Sequence, residues 1–536
     1  MVPRLALRAL LPLCSAAVFL GQLAPGPRVV TFRSDVDDSE QPYALYVPRS
    51  FDPARKYPLV VSLHDELSDH RLNLRRVVGD FTEKDYVVAC PSARGSMGYA
   101  GIPEKDIYDV LADVKRCIPI DENRVYLTGI STGGGGALRL GLTRPDIWAA
   151  VAAVCPEIPR GIEDLAPNAL NLPVRLFHGD QDPAISVERS RQWYQRLLDV
   201  GVRVEYTEYP GVRHNAWEYA YRDGGIFQWF AQFRRVGHPE RVRFQTRMYK
   251  YGEAYWVRFD SFTPGELASI DARFTGKNKL EISTENLDGF TLTLAGHPRF
   301  VPALPLTAMV DGSEVRARIQ GRISLERTPR GWRASRNPPT PGEKHNGSEG
   351  PIADAVASRH IYVYGVADAP GPDEVRRRQR IARDASTWSQ AEARLMPSFA
   401  VKPDWQVTAQ DVEDSNLVLF GTKETNSLIA RFANQLPLAL NPGAADYGLV
   451  FVAPVGKRYV VVNSGLPWWT GADEAKRPDM HGVMPPPYRA LETFGDFILF
   501  KGSLVNVIAE GRFDRHWKLL AGAAVKMRKT GTVVIQ

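Results

Sequence analysis

Ser131 sits in Gly129-Ile130-Ser131-Thr132-Gly133, a G-x-S-x-G pattern with glycines two residues before and two after the hydroxyl. A serine hydroxyl attacks a carbonyl carbon only when a base takes its proton, so the pattern has chemical meaning only if a histidine and an orienting carboxylate exist elsewhere. Both stand downstream, in one of the orders known for such a set, acid before histidine. Gly179-Asp180-Gln181-Asp182-Pro183 is a polar turn after an apolar run, and His214 lies in Tyr209-Pro210-Gly211-Val212-Arg213-His214-Asn215-Ala216-Trp217. Asp182 lies deeper in its turn than Asp180 and is the preferred carboxylate, with Asp180 as the alternative. Among the 10 histidines, His178 precedes the acid, His64 lies on the other side of Ser131, and His238 lies beyond this segment. That leaves His214 as general base, Ser131 as nucleophile and Asp182 as orienting acid, a constellation for acyl transfer.

Such a set works only if the folded chain brings its members to one rim. Short apolar runs at 58–64 (PLVVSLH), 86–89 (YVVA), 124–128 (RVYLT), 149–154 (AAVAAV) and 174–178 (VRLFH) read as buried strands. Segments 107–117, 134–142, 187–200 and 226–233 carry apolar residues at helical spacing between or after them. This alternation predicts a mostly parallel sheet covered by helices. The serine pattern then falls at a strand-turn-helix junction, where a strained turn leaves no room for side chains at Gly129 and Gly133. Gly134-Gly135-Gly136 follow inside a helical segment. Each costs about 1 kcal/mol relative to alanine there, which implies close packing of that helix against its strand. The same topology expects an oxyanion hole from the backbone N–H of Thr132 and of a residue in the loop opening at His64-Asp65-Glu66, taken as Asp65.

From Tyr43 to Phe233 the chain resembles the secreted-esterase and prolyl-oligopeptidase-like branch of the α/β-hydrolases, similar to feruloyl esterases and polyhydroxybutyrate depolymerases. The resemblance rests on several stretches. They are Tyr43-Ala44-Leu45-Tyr46-Val47-Pro48, Tyr57-Pro58-Leu59-Val60-Val61-Ser62-Leu63-His64 and Asp121-Glu122-Asn123-Arg124-Val125-Tyr126-Leu127-Thr128-Gly129. Pro145-Asp146-Ile147-Trp148-Ala149-Ala150, His178-Gly179 with Asp182, and His214 with Trp217 complete them. It implies hydrolysis of a carboxylic ester or a peptide bond through an acyl-enzyme, with Ser131, Asp182 and His214 in the roles above. The chain departs from the family at Asp65 and Glu66, where glycine usually follows the oxyanion-loop histidine. Two carboxylates beside a developing oxyanion would oppose catalysis unless turned away or paired. Peptidases of this branch usually carry a propeller ahead of the catalytic domain, whereas about forty residues precede Tyr43 here. Esters of polymers or small acyl groups are therefore expected over peptides. A serine peptidase and a catalytically inactive, polymer-binding protein are the alternatives, the second because Trp468-Trp469 and Tyr255-Trp256 could stack on sugars.

The 536 residues exceed one ordinary hydrophobic core. Arg4 and Arg8 before the apolar stretch 9–20 read as a signal peptide over 1–24, implying a secreted or periplasmic protein. No stretch is long enough for a membrane span. The catalytic domain is expected at 29–236, a small β-rich module at 240–335, an exposed linker at 336–350 (with NPPTPGEKHNGSEG from 337) and a second α/β domain at 351–536. The overall fold class is thus α/β, an α/β-hydrolase sheet followed by a small β module and a further α/β domain. Signal removal would leave Cys90, Cys117 and Cys155, either as three thiols or as one bridge with a leftover. Their spacing holds no zinc pattern, and the absence of HExxH, P-loop or dinucleotide fingerprints implies no metal or cofactor. A net charge of +6 is too mild to point to nucleic acid. The arginines at 376–378, 380 and 383 read as a solvated helix face, and Gly421-Thr422 as a strand-to-helix turn able to hold an anion.

Overall fold

The computed structural model describes residues 24–78, 85–95, 97–335, 342–387, 397–475 and 487–536. The expected signal peptide, except its last residue, and the linker portion 336–341 lie outside the described residues.

The first sheet has eight strands: β1 (Gly26–Arg33), β2 (Glu40–Val47), β3 (Tyr57–Leu63), β4 (Val87–Pro91), β5 (Ile120–Ile130), β6 (Ala150–Val154), β7 (Val174–Gly179) and β8 (Val204–Tyr209). Their order across the sheet is β1-β2-β4-β3-β5-β6-β7-β8. The β1–β2 and β2–β4 pairs are antiparallel, and every pair from β4–β3 to β7–β8 is parallel. This is the α/β-hydrolase sheet. Its central strands are continuous apolar runs because helices cover both faces. Leu59, Val61 and Leu63 of β3 face one core with Ile107, Val110 and Val114 of α2 (Ile102–Cys117) and Leu138 of α3 (Thr132–Thr143). Val60 faces the other core with Leu74 and Val77 of α1 (His70–Val77) and with Phe227 and Phe230 near 226–233. Each large apolar side chain so buried contributes about 1.5–3 kcal/mol. β1, antiparallel at the sheet edge, alternates in exposure as a strand with one solvated face does.

The glycines that open α3 answer to packing. An added Cβ at Gly135 would lie 1.7 Å from the Glu157 carbonyl oxygen, and one at Gly136 would strike the Tyr99 ring at 2.6 Å. The helix thus seats its first turn on its own strand, where a Cβ at Gly134 would come within 3.1 Å of the Gly129 carbonyl oxygen, and also on the chain that follows β6 and on Tyr99.

Residues 241–335 supply ten strands in two five-stranded sheets that enclose an apolar core including Trp256 and Phe290. Beyond 351 a seven-stranded mixed sheet carries helices on its connections. The expected exposed linker is different in its described part, 342–350. Lys344 is fully buried against Asp496, and both carboxylate oxygens of the buried Glu349 accept backbone N–H groups, from Tyr249 and Lys250. Residues 342 and 345–347 of this loop stay exposed, while the polar groups of Lys344, Glu349 and Gly350 are buried with protein partners.

Trp468 and Trp256 are buried, Trp468 stacked 5.4 Å from Phe420, so neither pair of aromatics offers two open faces to a sugar. Arg377 and Arg378 pair with Glu374, and Arg378 also with Asp368, which removes much of that helix's free positive charge. The turn at Gly421-Thr422 is occupied by its own chain: the Asn426 side chain accepts the Leu428 and Ile429 N–H groups, and Thr425 Oγ1 accepts that of Thr422. Cys90, Cys117 and Cys155 are unbridged thiols. No helix among the described residues is long and apolar enough to cross a membrane.

Candidate active site

Three strand ends build the site. β5 stops at Ile130 and α3 begins at Thr132, so Ser131 alone makes the turn, at φ 55° and ψ −119°. A non-glycine residue at positive φ is strained, and such strain persists only where the surroundings over-determine it. Here they do: a Cβ at Gly129 would come within 2.1 Å of the Gly133 carbonyl oxygen, and one at Gly133 within 2.5 Å of the Leu63 and His64 carbonyl oxygens. The elbow thus rests directly on the end of β3.

β7 ends at Gly179 and β8 at Tyr209, and the two loops that follow are stitched together. The Asp180 N–H donates to the Tyr209 carbonyl at 3.2 Å and that of Gln181 to the Val212 carbonyl at 3.0 Å. Gly179 permits this approach, since a Cβ there would lie 2.2 Å from the Val212 carbonyl oxygen. Asp182 on one loop and His214 on the other meet as a result: His214 Nδ1 donates to Asp182 Oδ2 at 2.7 Å, and Nε2 lies 3.0 Å from Ser131 Oγ. Asp180 turns elsewhere, accepting the Gly211 N–H at 2.7 Å.

The Asp182 side chain is fully buried, which alone would push its pKa up. Hydrogen bonds overcome that: Oδ1 accepts the Ile185 and Ala184 N–H groups at 3.0 and 2.8 Å, and with the His214 bond they hold the carboxyl below its ordinary range. A second histidine supports it. His178, buried at the end of β7, places Nε2 3.2 Å from Asp182 Oδ2 while Nδ1 lies 2.8 Å from Ser190 Oγ. Burial lowers the His178 pKa, so the ring is neutral; its Nε2–H donates to the Ile185 carbonyl at 3.1 Å and lies beside the Asp182 carboxylate. His178 precedes the acid in chain order, out of place for the general base; its position four residues before Asp182 is the signal in the sequence that links the two. Cys155, at φ 38° beyond β6, donates its thiol to the His214 carbonyl at 3.3 Å. Burial pushes that thiol up, keeping it protonated. The Cys155, Asp182 and His214 ligand atoms lie within 4.8 Å of one another, yet Asp182 and His214 are already spent on each other and the sulfur is no thiolate.

Thr132 occupies the first helical position, where an N–H has no intrahelical acceptor and the helix dipole favours negative charge. Asp65 lies two residues beyond β3, on the loop that Gly133 abuts. That loop is pinned: Tyr99 Oη donates to the His64 carbonyl at 2.6 Å, and the His64 ring nitrogens lie 2.7 Å from the Asp65 carbonyl and 3.0 Å from that of Ser92. The feared repulsion from Asp65 is met by its partners. Oδ1 accepts the Leu67 N–H at 3.0 Å, and Oδ2 accepts Ser68 Oγ–H at 2.9 Å and is ion-paired with Arg76. Glu66 is exposed. The arrangement as a whole can move a proton from a hydroxyl to an imidazole at the N-terminus of α3.

Residues 106–223, which include Ser131, Asp182 and His214, match the phospholipase/carboxylesterase family. Acyl-protein thioesterase 1 of Neurospora crassa is 30% identical over 104 residues, 18% of this chain and 42% of the relative. Poly(3-hydroxyoctanoate) depolymerase of Pseudomonas fluorescens is 28% identical over 210 residues, 35% of this chain and 73% of the relative. A thermostable esterase of known structure aligns with TM-score 0.35 at 25% identity, covering 41% of this chain and 64% of its own. The chain spans less than half the length of the thioesterase it matches.

Proposed function

We propose that this chain, whose first domain is an α/β-hydrolase of the phospholipase/carboxylesterase type, cleaves carboxylic esters through an acyl-enzyme on Ser131. The observation that carries the reading is the unbroken relay from Ser131 Oγ to His214 Nε2 at 3.0 Å and from His214 Nδ1 to Asp182 Oδ2 at 2.7 Å, on a serine held at positive φ.

In acylation Ser131 Oγ bonds to the ester carbonyl carbon as its proton passes to His214 Nε2. The carbonyl oxygen becomes an oxyanion, stabilised by the Thr132 and Asp65 N–H groups. His214 then gives the proton to the alcohol oxygen as the C–O bond breaks and the alcohol leaves. Water repeats the sequence: its proton goes to His214, its oxygen bonds to the acyl carbon, and the Ser131 Oγ–C bond breaks as Ser131 regains a proton. Asp182 stays ionised throughout and holds the imidazole in the tautomer that presents Nε2 to Ser131.

The substrate class is a carboxylic ester, of a small acyl group or of a polymer; the depolymerase relative supports the second form. The basic, apolar start of the chain supports export to the periplasm or medium. Turnover of p-nitrophenyl acetate without turnover of aminoacyl p-nitroanilides is the expected result for the purified full chain. The reverse pattern would replace the esterase with a peptidase. N-terminal sequencing of the mature protein, expected to begin near residue 25, tests export.

A further inference from the structure

Arg76 joins two loops of the site that no hydrogen bond between them connects among the described residues. It lies on the last turn of α1, and its guanidinium is ion-paired with Asp65 while it stacks 4.7 Å over the ring of Trp217. Trp217 in turn stands edge-on to the His214 ring at 6.0 Å and 87°. A continuous set of contacts therefore runs from the histidine loop after β8, through one planar cation, to the loop that carries the Asp65 N–H.

We propose that Arg76, seated on Trp217, is a positioning residue for the oxyanion loop and the counter-charge that makes an aspartate tolerable there. The inference rests on the ester-hydrolysis reading of the same site. Two needs converge on this side chain. The N–H at residue 65 must point at a forming oxyanion, and a donor displaced from that position stabilises little, because such bonds act through preorganised geometry. The Asp65 carboxylate must also not present its charge to the oxyanion. It is 8% exposed and directed into its own loop, where it accepts the Leu67 N–H and the Ser68 hydroxyl. Those two neutral donors share the negative charge but do not cancel it; Arg76 does. Arginine suits the place better than lysine because a flat, delocalised cation can stack on the indole and bond a carboxylate edge-on at once.

The brace also relates the two halves of the reaction. Trp217 follows His214 by three residues, so a shift of the oxyanion loop is felt through Arg76 at the base of the helix that packs beside the histidine. Side chains of this kind fix position without touching the reacting atoms, and their loss is read in kcat rather than in substrate affinity.

The test is a mutant cycle on the full chain, with steady-state kinetics on p-nitrophenyl acetate and circular dichroism as the folding control. Arg76→Ala leaves the Asp65 charge uncancelled, and kcat is expected to fall about tenfold or more, a fraction of the about 10²–10³ that follows loss of an oxyanion donor, with KM little changed. Arg76→Lys keeps the charge without the stack and should lose less. The decisive comparison is Asp65→Gly alone against the double, Asp65→Gly with Arg76→Ala: with the carboxylate gone the arginine has nothing to hold or neutralise, so Arg76→Ala should cost far less kcat in the Asp65→Gly background than in the parent. If Arg76→Ala does not fold, Arg76→Met, which keeps the length of the side chain without its charge, takes its place in both the single and the double variant. The proposal is overturned if folded Arg76 variants keep the parental kcat, or if the double variant is as impaired as the product of the two single changes. Ser131→Ala is measured alongside. A dead Ser131→Ala with unimpaired Arg76 variants sinks the brace alone, whereas persistent turnover in Ser131→Ala sinks the ester-hydrolase reading beneath it.

Discussion

The Asp180 carboxylate accepts the Gly211 N–H at 2.7 Å, two residues from the carboxylate that holds His214. The turn thus carries two aspartates with separate tasks, one tying loops and one facing the imidazole. Asp182→Asn should lower kcat by about 10⁴, because an amide at that point favours the wrong imidazole tautomer. Asp180→Asn retains an oxygen acceptor for Gly211 and should leave kcat within a few fold. Ester kinetics on the two variants check this, and equal losses would mean that the pair act as one.

The glycine run after Ser131 yields a stability prediction. The Cβ of Gly135→Ala would meet the Glu157 carbonyl oxygen, which is backbone and cannot swing away. Overpacking of this severity costs about 3 kcal/mol. Its thermal midpoint should therefore drop by several degrees, while Gly161→Ala, at a site with no neighbouring atom within 4 Å but with φ +82°, should lose only the smaller strain cost. Differential scanning fluorimetry separates the two.

Much of this site was readable in the chain itself because its chemistry constrains residue type and order together. The serine needed glycines around it, and the acid and histidine had to follow at strand ends, so Ser131, Asp182 and His214 could be picked out by position. The central strands β3 to β7 of the first sheet were equally readable, since strands buried on both faces are written as unbroken apolar runs such as 58–64. What stayed hidden depended on pairs distant in sequence. Nothing local to Asp65 announces Arg76, nothing near Lys344 announces Asp496, and His178 resembled any strand-ending histidine until Asp182 folded back to 3.2 Å from it. Composition likewise does not record that, within the polar stretch 342–350, Lys344 and Glu349 turn inward to partners distant in the chain.

The second α/β unit supplies a pH dependence. His360 is buried in its sheet, stacked 3.8 Å from Phe399, with Nδ1 donating to the Ser358 carbonyl at 2.8 Å. Burial lowers its pKa from 6.5 to about 4. A depressed histidine contributes stability that is complete above pH 6.5 and is lost as pH falls toward 4, here about 3 kcal/mol. The difference in unfolding free energy between the parent and His360→Leu should therefore shrink over that interval. A difference constant between pH 7 and pH 4.5 would show that His360 does not titrate as described.

The central claim is that one hydroxyl, activated by His214, forms the acyl-enzyme. Treating the full-length protein with a fluorophosphonate and mapping the adduct by mass spectrometry tests it without knowledge of the natural substrate. The account predicts a single stoichiometric phosphonylation on Ser131, absent from Ser131→Ala and strongly slowed in His214→Ala. Labelling at another residue, or ester hydrolysis that persists after Ser131 is replaced, would contradict it.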